Sequence, residues 1–168
     1  MVDFQADADA LNAIAADRDL QARLRHRRQE HRLTILTPHP LEAARLLGTT
    51  AAAVQSDRPH HVQTLATQLG CHVVLKGSGT LVASPDGNWC VNPTGNARLA
   101  TAGTGDVLAG LLVGLLAQGV PAFEAASMAV WMHGEAGAEA GPGLIAEDLP
   151  EAMPEVFRRL YDLFAVEY

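Results

Sequence analysis

The chain has 168 residues, a formal net charge of −7 and 48% apolar positions, which suits about one domain with its own core. The acidic balance argues against a nucleic-acid or membrane-surface partner, and no segment reaches the roughly 18 consecutive apolar residues of a membrane span. Cys71 and Cys90 stand alone, without the spacing of a disulfide framework or a zinc site, and the start MVDFQADADA lacks the parts of a signal peptide. The expected setting is the cytoplasm.

In chain order, ADADALNAIAADRDLQARLRHRRQEH (6–31) carries Leu11, Ile14, Leu20 and Leu24 at helical spacing, with acids early and bases late, and predicts one long helix. Its basic end, RLRHRRQEHR (23–32), has no interleaved aromatic to stack a base, so it is expected to be a solvated face. RLTILT predicts a short buried strand that opens into the loop PHP, and LEAARLLG a helix closed by Gly48. PHHVQTLATQLG predicts a helix from about Pro59 to Gly70, and HVVLKG a second buried strand. TLVASPDGNWCVN predicts a hairpin turning at Pro85-Asp86-Gly87-Asn88. Then come a Gly/Thr loop, an uncharged helix over Val107 to Ala117 expected to be buried all round, a helix rich in small residues over 121–141, and a last helix over about 147–168. Strands separated by helices imply an α/β sandwich. Two buried strands and a hairpin are few for so many apolar helices, and the expectation is that the first strands of the sheet lie upstream of Met1.

The usual nucleotide signatures are missing: there is no GxxxxGK[ST], and GTGDVLAG has the wrong spacing for GxGxxG. Three other segments carry chemistry. In RLATAGTGDVLAG (98–110) a lone acid, Asp106, sits in the first turn of the apolar helix, behind Gly103, Thr104 and Gly105. The free amides at that helix start form an anion cradle, and an acid beside a cradle suits proton removal from a nucleophile that attacks a phosphate. In TPHPLE (37–42), His39 and Glu42 follow a strand, where an imidazole reaches substrate and a carboxylate reaches magnesium waters, although Glu42 also suits a helix first turn. VVLKGSGT (73–80) puts Lys76 and two glycines at a strand end, which serves either a phosphate or a tight turn. His133 with Glu135 and Glu139 is a weaker group, expected to be packing and surface positions rather than metal ligands, and Asp7 and Asp9 suit helix capping. Trp89 and Trp131 are expected to be hairpin and core aromatics.

Taken together, DADALN, TPHPLE, VVLKGSGT, GNARLATAGTGDVLAG and AVWMHGEAG resemble the ADP/ATP-dependent NAD(P)H-hydrate dehydratases, the carbohydrate-kinase-like branch of the ribokinase superfamily. The resemblance runs from about Asp7 to the end and implies a single ribokinase-like α/β/α three-layer domain over 1–168, corresponding to the C-terminal part of the family's domain. It also implies roles. Asp106 is the catalytic carboxylate, and Gly103, Thr104 and Gly105 are the anion hole. Lys76, Gly77, Ser78, Gly79 and Thr80, with Gly105, line a site for ADP or ATP. His39 and Asp106 contact hydrated NAD(P)H, and Glu42 is the acid near Mg2+. Leu41 and Ala102 depart from the family's pattern, each standing where a glycine is common, and put the fine geometry of both loops in question.

The implied reaction is phosphorylation of the hydrated ring's hydroxyl followed by loss of phosphate, which restores NAD(P)H. A small-molecule kinase of the same superfamily uses the same acid and cradle, but His39 in TPHP, where such kinases tend to have Asn, favours the dehydratase. A nucleotide-binding fragment without turnover is the third reading. Self-association into a homo-oligomer stays open.

Overall fold

The computed structural model describes the backbone of residues 4–6 and the whole of residues 9–165. Asp7, expected to cap a helix, lies outside them. A five-stranded sheet in the order β1-β2-β3-β4-β5 is built from β1 (Phe4–Ala6), β2 (Thr34–Leu36), β3 (His72–Leu75), β4 (Leu81–Ala83) and β5 (Trp89–Val91). The first three strands are parallel and the last three antiparallel, with Ile35 opposite His72, Val74 opposite Val82 and Val82 opposite Cys90. β1 was not anticipated: FQA is too short to show a period of its own, and its pairing with β2, Gln5 opposite Ile35, is what makes it a strand.

Alternation along the strands sends side chains to two separate cores. Leu36, Val73, Leu75, Leu81 and Ala83 face one side, against α1 (Asp9–Ala16), α2 (Arg18–Gln29), α3 (Pro40–Leu47), α4 (Ala51–Ser56) and α5 (Arg58–Leu69). Ile35, Val74 and Val82 face the other, against α6 (Thr104–Ala117) and α7 (Ala122–Ala140). A third cluster packs α7 on α8 (Asp148–Phe164) through Met132, Ala136, Leu149 and Val156. The result is helix, sheet, helix, and the expected three layers are present. Ile35 and Leu36 are both fully buried, on opposite faces, so truncating either to Ala costs about 2–5 kcal/mol.

Three expectations change. The opening helix is two, because Asp17 is extended and its carboxylate accepts from Asp19 N and Leu20 N, capping a new start. α4 was missed; a six-residue AAAVQS has little pattern, and Thr50 Oγ1, accepting from Ala53 N, defines it. α6 is not buried all round: Leu108 and Leu112 are buried but Val113 is 49% exposed, so an uncharged helix here has a free face. The basic end of α2 is also more than a solvated face, since Arg27 donates to Thr34 Oγ1 and Leu33 O while Arg28 pairs with Asp86 of the hairpin at 2.5 Å. The hairpin itself turns at the expected residues, with Ser84 N donating to Asn88 O.

Candidate functional site

α6 begins at Thr104, and Gly103 before it takes φ +86, with no side chain capping the helix. A Cβ at Gly103 would lie 2.9 Å from the Ala146 methyl, so glycine is required twice over, by conformation and by space. Asp106 is the third residue of the helix, and its N–H turns back to Gly103 O at 3.0 Å. Its side chain is exposed. Thr104 N–H donates to Thr101 O at 3.4 Å, so of the three expected anion-hole amides those of Gly103 and Gly105 are the ones this uncapped start offers to a ligand or to solvent.

That start is held from behind. His133, on α7 and 8% exposed, donates from Nε2 to Thr104 O at 2.8 Å, and Thr104 Oγ1 hydrogen-bonds Leu99 O and Thr101 O. Burial pushes the His133 imidazole below its ordinary pKa, against a smaller upward pull from the Thr104 carbonyl, which keeps the ring neutral with its proton on Nε2. His133 was expected only to pack, and it instead fixes the first peptide of α6. The Gly/Thr loop is fixed the same way: Asn92 Nδ2 donates to Val130 O, Thr94 Oγ1 to Trp131 O and Asn96 Nδ2 to Gly137 O, all on α7. The small residues of NPTGNARLATAGTGD therefore serve partly to dock this loop on a helix. The matching signal on α7, the glycines of HGEAG, is legible only once the partner is known.

In the second candidate loop, His39 caps α3 in a reciprocal box. Its Nδ1 accepts from Leu41 N and Glu42 N, while Glu42 Oε2 accepts from His39 N at 2.7 Å and Oε1 lies 3.4 Å from Nε2. With Nδ1 accepting, the imidazole proton sits on Nε2 and the ring is aimed by the box. Glu42 is 5% exposed. Lys76 N donates to Pro38 O at 2.9 Å, which extends the β2–β3 pairing and sets the His39 and Lys76 loops side by side at the same end of the parallel strands. Gly77, Ser78, Gly79 and Thr80 follow in a turn closed by Thr80 Oγ1 donating to Gly77 O. Asn92 N donates to Thr80 O, so the loop leading to α6 leaves from the same turn. Neither Leu41 nor Ala102 takes a positive φ, so neither departure from glycine strains the backbone. A groove of about 410 Å3 between α6, α7 and α8, walled by Val107, Leu111, Met153 and Phe157, is apolar and contains none of these candidates.

The family profile described as NAD(P)H-hydrate dehydratase matches residues 4–154. The chain belongs to the NAD(P)H-hydrate dehydratase family. It is 56% identical over 130 residues to the ADP-dependent (S)-NAD(P)H-hydrate dehydratase of Neisseria meningitidis serogroup B, covering 77% of this chain and 43% of that protein. Among solved structures, the ADP/ATP-dependent NAD(P)H-hydrate dehydratase of Bacillus subtilis, co-crystallised with ATP/Mg2+, superposes with a TM-score of 0.71 at 38% identity over 76% of this chain and 48% of that one. A ribokinase-like superfamily protein of Enterococcus faecalis gives 0.73 at 25% identity, over 92% of this chain and 52% of its own. The fold is ribokinase-like, and the chain spans less than half the length of the first two relatives.

The dehydratase fold implies a nucleotide and a magnesium ion, and the residues present fit them unequally. An uncapped α6 start with no room for a Cβ at Gly103 fits an anion. For magnesium, Glu42 is buried and already shared with His39, and among the described residues no three His, Cys, Asp or Glu side chains group as a cage. Such a donor set suits an ion carried in on phosphate oxygens and its own waters.

Proposed function

We propose that this chain carries the nucleotide and catalytic portion of an adenine-nucleotide-dependent dehydratase that returns hydrated NAD(P)H to NAD(P)H. The observation that carries the reading is the start of α6: an uncapped helix terminus with Asp106 in its first turn, held in place by His133. The names of the Neisseria and Bacillus relatives support the substrate and the use of ADP or ATP. In this reading Asp106 takes the proton from the ring hydroxyl, and the freed oxygen bonds to the terminal phosphoryl group of ADP or ATP as the bond to the rest of the nucleotide breaks. The amides of Gly103 and Gly105 offset charge on that phosphoryl group, and Thr104, whose N–H is turned to Thr101 O, holds the loop between them. The ester then leaves as phosphate, a neighbouring ring carbon gives up a proton, and the nicotinamide double bond returns. His39, aimed by Glu42, contacts the hydrated dinucleotide, and Lys76 to Thr80 with Gly105 receive the nucleotide. Glu42 would hold a magnesium ion through the ion's waters, and the ion would neutralise charge on the phosphates. The cytoplasmic setting proposed with this reading rests on the two cysteines, both free in the structure.

The test follows recovery of 340 nm absorbance from hydrated NADH, with Mg2+ and ADP or ATP, for this chain and for Asp106→Asn. Nucleotide-dependent recovery is expected, falling about 10²–10⁴-fold in the variant, the span of a positioned general base. Equal recovery in both proteins overturns the role of Asp106. A phosphorylated hydroxyl product without NADH turns the assignment to a kinase.

A further inference from the structure

Arg58, the first residue of α5, lies under the turn that follows β3 and has no place in the mechanism above. Its Nη1 donates to Ser78 O, and its Nη2 donates to Leu75 O at 3.1 Å and Lys76 O at 3.4 Å. Its Nε is buried with no partner, and burial pulls the guanidinium below its ordinary pKa. Gly77 packs directly on it: a Cβ there would stand 3.1 Å from Nη2, and Gly77 takes φ +139. A chain rarely draws a guanidinium into a site with one N–H unsatisfied unless the remaining bonds fix something.

What they fix follows from the planarity of the peptide unit, in which C=O and N–H point opposite ways. The carbonyls of Leu75, Lys76 and Ser78 all turn toward Arg58, so the N–H groups of Lys76, Gly77 and Gly79 turn away from it. The first of these is taken up by Pro38 O. The other two, of Gly77 and Gly79, point away from the guanidinium and have no backbone acceptor among the described residues. Paired amides of this kind suit an anion such as a nucleotide phosphate.

We infer that Arg58 is a positioning residue for the nucleotide: it holds the Lys76–Thr80 turn with its carbonyls inward and the Gly77 and Gly79 amides outward. This rests on the nucleotide reading of that turn. Arg58→Lys keeps the charge but lacks the fork, so the new side chain reaches fewer carbonyls.

The experiment measures ADP affinity by calorimetry with Mg2+, and amide hydrogen exchange at residues 76–80 without nucleotide, on the full chain, Arg58→Lys and Arg58→Ala. Faster exchange confined to the turn is expected in Arg58→Lys, with ADP affinity lowered roughly tenfold, the equivalent of reordering about one residue on binding. The apparent KM for the hydrated dinucleotide is expected to stay unchanged, which a general loss of structure would not allow. Should Arg58→Ala fail to fold, the Lys variant alone decides. Wild-type ADP affinity and wild-type exchange in Arg58→Lys overturn the inference. A parent chain that binds no ADP overturns the nucleotide reading itself, and the exchange data then still report whether Arg58 holds the turn.

Discussion

The docking of the Gly/Thr loop on α7 makes Gly134→Ala a quantitative test of how the site is held. A Cβ at Gly134 would lie 2.1 Å from Thr94 Oγ1, 2.7 Å from Gly95 N and 2.8 Å from Thr94 C. Contact between such atoms begins near 3.5 Å, so loop and helix must part by about 1 Å. The bonds from Asn92, Thr94 and Asn96 to α7 carbonyls are 3.0, 3.0 and 3.1 Å long, and an added ångström breaks all three. At a net of about 1 kcal/mol each, the loss is about 3 kcal/mol, of which helix propensity returns about 1. The expected net cost is about 2 kcal/mol, or a Tm lower by about 4–8 °C for a chain of this size. Urea and thermal unfolding read the cost, and amide exchange at 92–99 locates it. Gly114→Ala is the control: a Cβ there meets nothing within 4 Å, and the same helix term should raise stability by about 0.5–1 kcal/mol. A Gly134→Ala protein with wild-type Tm would refute the close approach of loop to helix.

Two further outcomes follow from buried titratable groups. His133 and His72 are both held below their ordinary pKa, chiefly by burial. As pH falls through about 6.5, the unfolded chain takes up protons that the folded chain resists. The unfolded state then binds more protons, so stability falls with falling pH, and the slope ends once pH drops below the folded values. Urea midpoints from pH 8 to pH 5 should show this decline, and His133→Asn should flatten it; a flat wild-type profile would contradict the burial of both rings. Cys71 is pushed up to about 12 by burial, despite the opposing pull of Arg27 and Arg28. Thiol labelling at pH 8 should therefore modify half-buried Cys90 alone until the chain unfolds, and two equally fast reactions would count against that core.

The long helices were legible because pattern and punctuation agreed. Pro59 and Gly70 bound α5, and Pro40 and Gly48 bound α3, close to where the sequence put them. The misses came where a partner decides. β1 has three residues and only its register with β2 to define it. Asp17 looked like one more acid in a helix, and local capping won over periodicity. The candidate site shows the same division. Asp106 could be singled out because an acid after a Gly/Thr string is locally odd, whereas Arg58 could not: SDRP gives no hint that its guanidinium meets carbonyls some 20 residues downstream.

An uncapped helix start poses a problem that the surroundings of Asp106 answer. Side-chain caps normally satisfy the first-turn amides and fix where the helix begins. At α6 no side chain caps the first turn, and the helix start is fixed from the acceptor side instead. His133 does this through Thr104 O, and the Thr104 hydroxyl does it through Leu99 O and Thr101 O. At α3 the opposite solution appears: His39 spends Nδ1 on the cap, and the cap in return aims Nε2. Arg58 repeats the first solution at the β3 turn, taking the carbonyls and leaving the amides. In two of the three loops, then, polar side chains bind backbone oxygens from behind, at Thr104 O and at the carbonyls of the β3 turn.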